Sequence, residues 1–377
     1  MIASMSVGVV GGGQLARMMI PAAVELGIEL RVLAEAEGMS AGLAATAVGD
    51  YRDAETVLAF AEGVDVVTFD HEHVPQEVLR ALVEAGHRVH PGPDALRFAQ
   101  DKRAMRQRMA ELGAPQPDWA PVDSRADLER FLADHGGVGV VKTATGGYDG
   151  KGVRVVRDAA DADDWLEGAA AGGPRLLVEE LVPFSRELAQ LVARRPSGET
   201  VVWPLVQTVQ RDSICAEVLA PARHAARIQP VVDDIARGIA EGLGVTGVLA
   251  VELFETSDGR VLVNELAMRP HNSGHWTIDG SITSQFEQHL RAVLDLPLGS
   301  TALLAPASVM INVIGGPASG SMTDRYRAAL GAHPDVKVHS YAKSARPGRK
   351  VGHVTAIGDD LDEVAYRARA AAAHFDA

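Results

Sequence analysis

Val141-Lys142-Thr143-Ala144-Thr145-Gly146-Gly147-Tyr148-Asp149-Gly150-Lys151-Gly152-Val153 joins the apolar run 138–141 to the apolar run 153–156 through four glycines in seven residues, with Lys142 and Lys151 beside them. Two strand-like runs joined in this way predict a hairpin with a mobile loop. Glycine lets backbone N–H groups approach an anion closely and the lysines add point charge, so the loop suits a polyphosphate. A plain glycine turn would have the same backbone. Tyr148 and Asp149 at the tip are not needed for turning, and they point to a bound reactant.

The length of 377 residues predicts two or three domains. Apolar residues make up 47% and charged residues 23%, enough for a large core in a water-soluble protein. A net charge of −14 argues against a nucleic acid or an anionic membrane as partner, since both require a broad basic face. A small anionic substrate needs only a few local cations. Cys215 is the one cysteine, so no intrachain disulfide or cysteine-rich metal site can form. Between Ile214 and Ala216 it reads as a buried structural thiol. No apolar run reaches the roughly 18–20 residues of a membrane span. The first six residues lack the pattern of a secretion signal, so the chain reads as cytoplasmic.

From the N-terminus, the apolar run 7–10 feeds into Gly11-Gly12-Gly13-Gln14-Leu15-Ala16, and helical spacing continues to Leu26. Strands are expected at 28–33, 64–69 and 87–90, with a helix over 75–85; this βαβ pattern predicts a parallel sheet. Pro91-Gly92-Pro93 closes the first unit, and one linking helix is expected over 94–112. The first glycine cluster fits G-x-G-x-x-A after a strand, with Glu35 about twenty residues on, which is the dinucleotide fingerprint. An NAD(P)-dependent oxidoreductase is therefore one reading. The second glycine loop and the later polar clusters weigh against it, because they suit phosphate and metal chemistry. From 114 onward strands and helices mix in an α+β manner, with helices over 231–243 and 281–294. A last small unit opens at 307.

Glu252 and Glu265 lie on strand-like runs on either side of Asp258-Gly259, a favoured hairpin turn. Centring the hairpin there pairs 254 with 263 and 252 with 265, which sets the two carboxylates directly opposite on one face. Facing like charges repel unless a proton or cation lies between them. Mg²⁺ would remove the conflict, taking a few carboxylates and completing its shell with phosphate oxygens and water. Splayed, solvated side chains are the alternative, and a register slip of one would turn Glu265 away. Arg269, His271, Asn272, Ser273 and His275 follow within seven positions and read as a substrate-lining loop, with His275 the member most readily structural. Lys343-Ser344-Ala345-Arg346-Pro347-Gly348-Arg349-Lys350 places four cations around a sharp turn, able to converge on one phosphate.

As a set these residues resemble the ATP-grasp ligases and, within them, the N5-carboxyaminoimidazole ribonucleotide synthase family of purine biosynthesis. The resemblance runs over nearly the whole chain: residues 11–15, 146–152, Asn264-Glu265-Leu266-Ala267 with Arg269, the string 271–276, Ser284-Gln285-Phe286-Glu287, and 346–350 with Gly352-His353. It implies an α/β and α+β architecture of three parts. These are an N-terminal Rossmann-like parallel-sheet domain (1–98), a central ATP-grasp domain (99–299) with a mobile lid at about 115–182, and a small C-terminal domain (300–377). It further implies a homodimeric ligase that uses ATP and Mg²⁺ to carboxylate 5-aminoimidazole ribonucleotide with bicarbonate, through carboxyphosphate, giving ADP and phosphate on the route to IMP.

Site roles implied by the resemblance follow. Lys102 and Lys142 contact the ATP phosphates, and Gly147, Tyr148, Asp149, Gly150, Lys151, Gly152 and Val153 cover them. Glu179, Glu180, Leu181 and Val182 edge the adenine, and Glu187 holds the ribose. Glu252 and Glu265 bind Mg²⁺ with Asn264 beside them. Glu72, Tyr148, Asp149, Lys151, Arg269, His271 and Asn272 line the bicarbonate and imidazole pocket, with Gln14, Leu15 and Ser273 on the substrate side. Lys343, Arg349 and Lys350 take the ribonucleotide's 5′-phosphate. The superfamily's Glu-x-Asn-x-Arg strand reads Glu265-x-Ala267-x-Arg269 here, and Gln207 and Gln210 stand where a histidine is usual at the nucleotide. Gln210 would serve as a neutral partner. The other readings are a different ATP-grasp carboxylate–amine ligase, the oxidoreductase, and a nucleotide-binding regulator without turnover.

Overall fold

The computed structural model describes residues 5–147 and 152–376. Tyr148, Asp149, Gly150 and Lys151, at the tip of the glycine loop, lie outside the described residues. The first unit contains β1 (Ser6–Val10), α1 (Gln14–Leu26), β2 (Glu29–Ala34), β3 (Ala45–Val48), α2 (Ala54–Ala61), β4 (Val66–Phe69) and α3 (Gln76–Glu84). Its strands form a parallel sheet in the order β3-β2-β1-β4. The expected strand at 87–90 is reduced to a single bridge between Val67 and Val89. β3 and α2 carried no clear period in the sequence; α2 is started by Asp53, whose carboxylate accepts the Glu55 and Thr56 N–H groups.

The linking helix is two helices, α4 (Pro93–Gln100) and α5 (Lys102–Glu111). Asp101 between them is extended (φ −130°, ψ 109°), and its carboxylate accepts the N–H groups of Arg103 and Ala104. The apolar spacing stays in phase across the break, so only the capping aspartate marks it. The break puts Lys102 on the first turn of α5, where its own N–H donates to the carbonyl of Ala144, 2.8 Å away at the root of the glycine loop.

Next come β5 (Trp119–Val122), α6 (Arg125–Asp134), β6 (Gly139–Thr143), β7 (Val153–Val156), α7 (Asp163–Ala170) and β8 (Leu176–Glu179), whose strands form an antiparallel sheet in the order β5-β8-β6-β7. The predicted hairpin is β6–β7, with Lys142 paired to Val153. Gly152 closes it at φ +72°, where a Cβ would fall 2.4 Å from the Thr143 hydroxyl, so only glycine fits.

The rest of the chain builds one nine-stranded sheet. Its members up to α10 are β9 (Phe184–Arg194), β10 (Thr200–Val202), β11 (Val206–Arg211), β12 (Ile214–Ala220), α8 (Gln229–Gly242), β13 (Gly247–Thr256), β14 (Val261–Ala267), α9 (Thr277–Gly280) and α10 (Gln285–Val293). There follow β15 (Ala307–Ile314), α11 (Met322–Ala332), β16 (Lys337–Ser340), β17 (Lys350–Gly358) and α12 (Leu361–Ala372). The strand order is β14-β13-β9-β11-β12-β15-β17-β16, with β10 on β9, so the C-terminal strands extend the central sheet.

Glu252 does pair with Glu265 across β13–β14, but Phe254 pairs with Leu262, not Val263. The turn is one residue longer than a two-residue hairpin, and a bulge between 252 and 253 restores the register, leaving Asn264 as the extra residue. One buried cluster joins Phe69 of the first sheet, Leu96 and Met105 of α4 and α5, and Val232 and Leu249 of the central unit. The other face of the first sheet is covered by α1 and by Phe286, Leu290 and Val293 of α10.

Candidate active site

The glycine cluster at the start of α1 is occupied from within. The Asp70 carboxylate, at the end of β4, accepts the N–H groups of Gly13 and Ala16, each at 2.8 Å. Glu35 accepts the N–H of Gly12 at 2.9 Å. A Cβ on Gly13 would lie 2.0 Å from an Asp70 oxygen. The helix N-terminus that holds a pyrophosphate in a dinucleotide fold thus already holds a carboxylate. Glu35, the residue expected to grip a ribose, is turned onto the glycines and His71 and titrates at about 2 through its His71 hydrogen bond. The fingerprint shapes the loop, and the dinucleotide reading fails for that reason.

Three cavities converge beside it. The largest, about 650 Å³, lies between the β5–β8 sheet and the nine-stranded sheet. Val140, Val153, Val155, Leu181, Val182 and Phe184 make its apolar walls, Glu180 and Glu187 its polar edge, and Lys102, Lys142, Asn264, Glu252 and Glu265 its floor. This is the shape of a nucleotide site, a base slot ending in cations and carboxylates. Gln210 hydrogen-bonds Glu187, whose carboxyl is pushed up by burial and by the Glu252 charge. Cys215 also lines this cavity and is half-buried, which corrects the reading of a buried thiol: its apolar neighbours face away on the alternating strand.

Lys142 is set by a network that sequence reasoning missed. Its ammonium donates to Glu179 at 2.7 Å and to the Asn264 side chain at 3.4 Å. Glu179 is held from behind by the fully buried Arg106 (2.8 Å), which also donates to the carbonyls of Val263 (2.7 Å) and Asn264 (2.8 Å) at the bulge. Burial would raise the Glu179 pKa, but Lys142 and Arg106 together hold it below the ordinary carboxylate range. The Glu179 side chain is therefore spent on cations, while Glu180, Leu181 and Val182 line the cavity wall. In sequence Arg106 is one basic residue of an amphipathic helix, with no local sign of these partners.

The facing carboxylates each have a hydrogen-bonding partner. Glu265 pairs with Lys102, and Glu252 with His271 Nε2 at 3.2 Å. Burial would raise the Glu252 pKa, and the His271 hydrogen bond and charge bring it below its ordinary value. Among the described residues no group of three or more His, Cys, Asp or Glu side chains converges as a metal cage. Two opposed carboxylates at the phosphate end of a nucleotide slot still fit Mg²⁺, which draws the rest of its shell from phosphate and water.

The second cavity, about 410 Å³, is lined by Glu72, Gln100, Lys102, Gly146, Gly147, Glu252, Glu265, Arg269 and His271. Arg269 donates to Glu72 at 2.7 Å. Burial alone would raise the Glu72 pKa, and Arg269 reverses this. The third cavity, about 560 Å³, gathers Arg269, Lys343, Arg346, Arg349 and Lys350 with Gln14, Leu15, His271 and Asn272, and among the described residues none that lines it is acidic. Lys343 bonds the Gln14 side chain, so the first glycine loop and the C-terminal basic turn close the same pocket. Leu15 itself is buried in the core beneath.

His271 lines all three cavities. Its Nδ1 accepts the Ser273 N–H at 3.4 Å and meets the Ser273 hydroxyl at 2.9 Å, which leaves Nε2 to donate toward Glu252. Ser273 is buried and lines none of the three; it aims His271. Asn272 lines two cavities, yet its amide is locked in a reciprocal pair with Asn312 (3.0 and 2.7 Å). The buried Gln285 clamps the loop, accepting the His271 N–H and donating to its carbonyl, both at 2.8 Å.

Three family models match the chain: a ribonucleotide synthetase preATP-grasp domain over residues 4–100, an ATP-grasp domain over 107–286, and a phosphoribosylaminoimidazole carboxylase C-terminal domain over 308–367. The chain is 50% identical over 371 residues to N5-carboxyaminoimidazole ribonucleotide synthase of Mycobacterium tuberculosis strain H37Rv, covering 97% of this chain and 86% of that one. It is 48% identical over 374 residues to the Corynebacterium ammoniagenes synthase, covering 97% and 91%. The Aspergillus clavatus synthase solved with ADP and 5-aminoimidazole ribonucleotide matches at TM-score 0.89 with 32% identity, covering 99% of each chain.

Proposed function

The chain belongs to the N5-carboxyaminoimidazole ribonucleotide synthase family, an ATP-grasp ligase family, and from this we propose that it carboxylates 5-aminoimidazole ribonucleotide with bicarbonate at the expense of ATP, in purine biosynthesis. The observation that carries the assignment of sites is the meeting of three cavities on His271. ATP takes the largest, its base against 180–182 and its phosphates at Lys102 and Lys142. Bicarbonate takes the one at Glu72, Arg269 and His271. The ribonucleotide takes the basic one, its 5′-phosphate on Lys343, Arg349 and Lys350. We divide the chain near residues 98 and 299, with the lid over 115–182.

In this arrangement a bicarbonate oxygen attacks the γ-phosphorus and ADP leaves, forming carboxyphosphate. The exocyclic amine of the ribonucleotide then forms the new C–N bond, phosphate departs, and the amine loses a proton. Lys142 and Lys102 neutralise charge on the transferring phosphoryl group, where positioning and electrostatics supply most of the catalysis. Glu252 and Glu265 would hold Mg²⁺, which supplies further positive charge against the phosphate oxygens. Arg269, fixed by Glu72, orients the carboxylate. His271, with Nε2 directed at Glu252, is built to hold a proton close to the transfer point. The glycine loop closes the phosphate end, which matters because carboxyphosphate hydrolyses readily. The same reading brings a cytoplasmic homodimer, on the family resemblance.

The test is ADP release by the purified protein with ATP and Mg²⁺. Release that requires both bicarbonate and aminoimidazole ribonucleotide is the expected result. Release driven by formate or an amino acid, with no response to the ribonucleotide, would replace this reading with another ATP-grasp ligase.

A further inference from the structure

Behind the 271–276 loop runs a seam of polar atoms that the reaction does not use. Opposite residues of β15 and β17 share a face, which sets Asn312 by His353 and Met310 by Thr355, with Ser308 two residues further along the same face of β15; His339 of β16 extends the first row. His275, Trp276 and α9 cover this face: a Cβ on Gly280 would fall 2.5 Å from the Ser308 hydroxyl and 3.0 Å from the Trp276 ring. The His275 and His353 rings are 5.3 Å apart, and both residues are fully buried. Along the seam His275 Nε2, Trp276 Nε1, Ser308 Oγ, His353 Nε2 and Thr355 Oγ1 are buried without a hydrogen-bond partner among the described residues.

The protonation of His275 can be read from its neighbours. Gln285 has its oxygen fixed by the His271 N–H, so its nitrogen is the group that donates to His275 Nδ1 at 2.9 Å. Nδ1 therefore accepts, and the ring proton sits on Nε2, aimed into the seam. His353 Nδ1 is taken by the Tyr341 hydroxyl at 2.8 Å, which turns its Nε2 the same way. Burial, with the charges of Lys350 and Arg269 added, holds the His275 pKa well below the ordinary imidazole value, and burial does the same for His353. Buried polar atoms are almost always satisfied, and a polar seam of this kind is where internal water resides. Water can accept from one imidazole and either donate to or accept from the other, so it suits either tautomer of His353.

We propose that internal water bridges His275 Nε2 and His353 Nε2, and that these two histidines are positioning residues for the ribonucleotide pocket. The seam joins two structures that must stay in register. On one side is the loop carrying His271 and Asn272. On the other is the β16–β17 hairpin, whose connection carries Lys343, Arg346 and Arg349. Gln285 passes the constraint from His275 to the His271 backbone. The proposal rests on reading the basic cavity as the ribonucleotide site.

Two measurements test it. A high-resolution crystal structure of the wild-type protein is expected to show an ordered water within hydrogen-bond distance of both Nε2 atoms; rings separated by protein atoms alone would overturn the proposal. Kinetically, His353→Asn keeps a polar group near Nδ1 and deletes Nε2, whereas His353→Gln keeps one near Nε2. The Asn variant should raise the KM for aminoimidazole ribonucleotide about tenfold while leaving the ATP KM within about twofold, and the Gln variant should recover most of the loss. Equal effects of Asn and Gln, or both KM values rising together, would refute the positioning role. Should the wild type release no ADP in response to the ribonucleotide, the functional reading falls with the positioning role, while the crystallographic water still decides the bridge.

Discussion

Replacing Arg106 by methionine separates the packing of α5 from its electrostatic work. The side chain is fully buried and spends its fork on Glu179, Val263 and Asn264 at 2.7–2.8 Å. Methionine fills much of the volume and supplies no donor. Two carbonyls at the bulge are left unpaired, at roughly 1–3 kcal/mol each. Glu179 loses one cation and keeps Lys142, so the full cost of an orphaned buried charge does not apply. The expected loss of stability is therefore about 2–6 kcal/mol, read from urea unfolding. The functional effect should be one-sided. Burial depresses the Lys142 pKa and Arg106 adds to this, while Glu179 opposes it. Without Arg106, Lys142 binds Glu179 more firmly and is less free for a phosphate. The ATP KM should then rise about tenfold, equivalent to ~1.4 kcal/mol, with the ribonucleotide KM unchanged. Arg106→Lys should behave like the methionine variant, because one ammonium cannot span three acceptors in a fork. A variant as stable as the wild type, or one in which the ribonucleotide KM moves instead, would refute the reasoning.

Glu265→Gln removes one of the two opposed carboxylates and should abolish ADP formation with circular dichroism unchanged; robust turnover would contradict its metal role. Lys343→Ala and Arg349→Ala should each raise the ribonucleotide KM by the equivalent of roughly 1.5–3 kcal/mol, leaving the ATP KM nearly constant in the same assay. Glu35 gives a pH test. Its pKa falls from 4.5 to about 2 on folding, so its stabilising contribution is complete above about pH 4.5 and fades as the pH drops toward 2. Denaturant midpoints of the wild type and Glu35→Gln should therefore differ at neutral pH and converge near pH 2; a constant gap would remove the His71–Glu35 contact as its source.

Much of this site could be read in the chain because its signals are local. The glycine loop, the Asp258-Gly259 hairpin and the string 269–275 each announce themselves within a dozen residues. The same locality explains the errors. The hairpin register came out right at Glu252–Glu265 only because a longer turn and a bulge cancel. Asp101 breaks a helix whose apolar spacing is uninterrupted. Gly13 matched a dinucleotide pattern, yet the carboxylate that fills its helix end lies 57 residues away in Asp70. Arg106 holds the site through partners 73 to 158 residues away, which no window of sequence contains. Cys215 has apolar neighbours, yet strand alternation turns it toward the 650 Å³ cavity.

Laid flat, the sheet would put Glu252 on β13 far from Lys350 on β17. Five strand-to-strand steps at roughly 4.8 Å amount to ~24 Å. Both side chains nevertheless line the 650 Å³ cavity. The ladder must therefore curl into a trough, and the accumulated twist of its strands is what carries a cation of the last hairpin round to face the acidic pair. The reach between the two ends of this cavity is thus a matter of curvature. Cutting the chain near residue 300 would remove three of the nine strands and bare the edge of β12, leaving a sticky, open ribbon in place of an enzyme lacking one appendage.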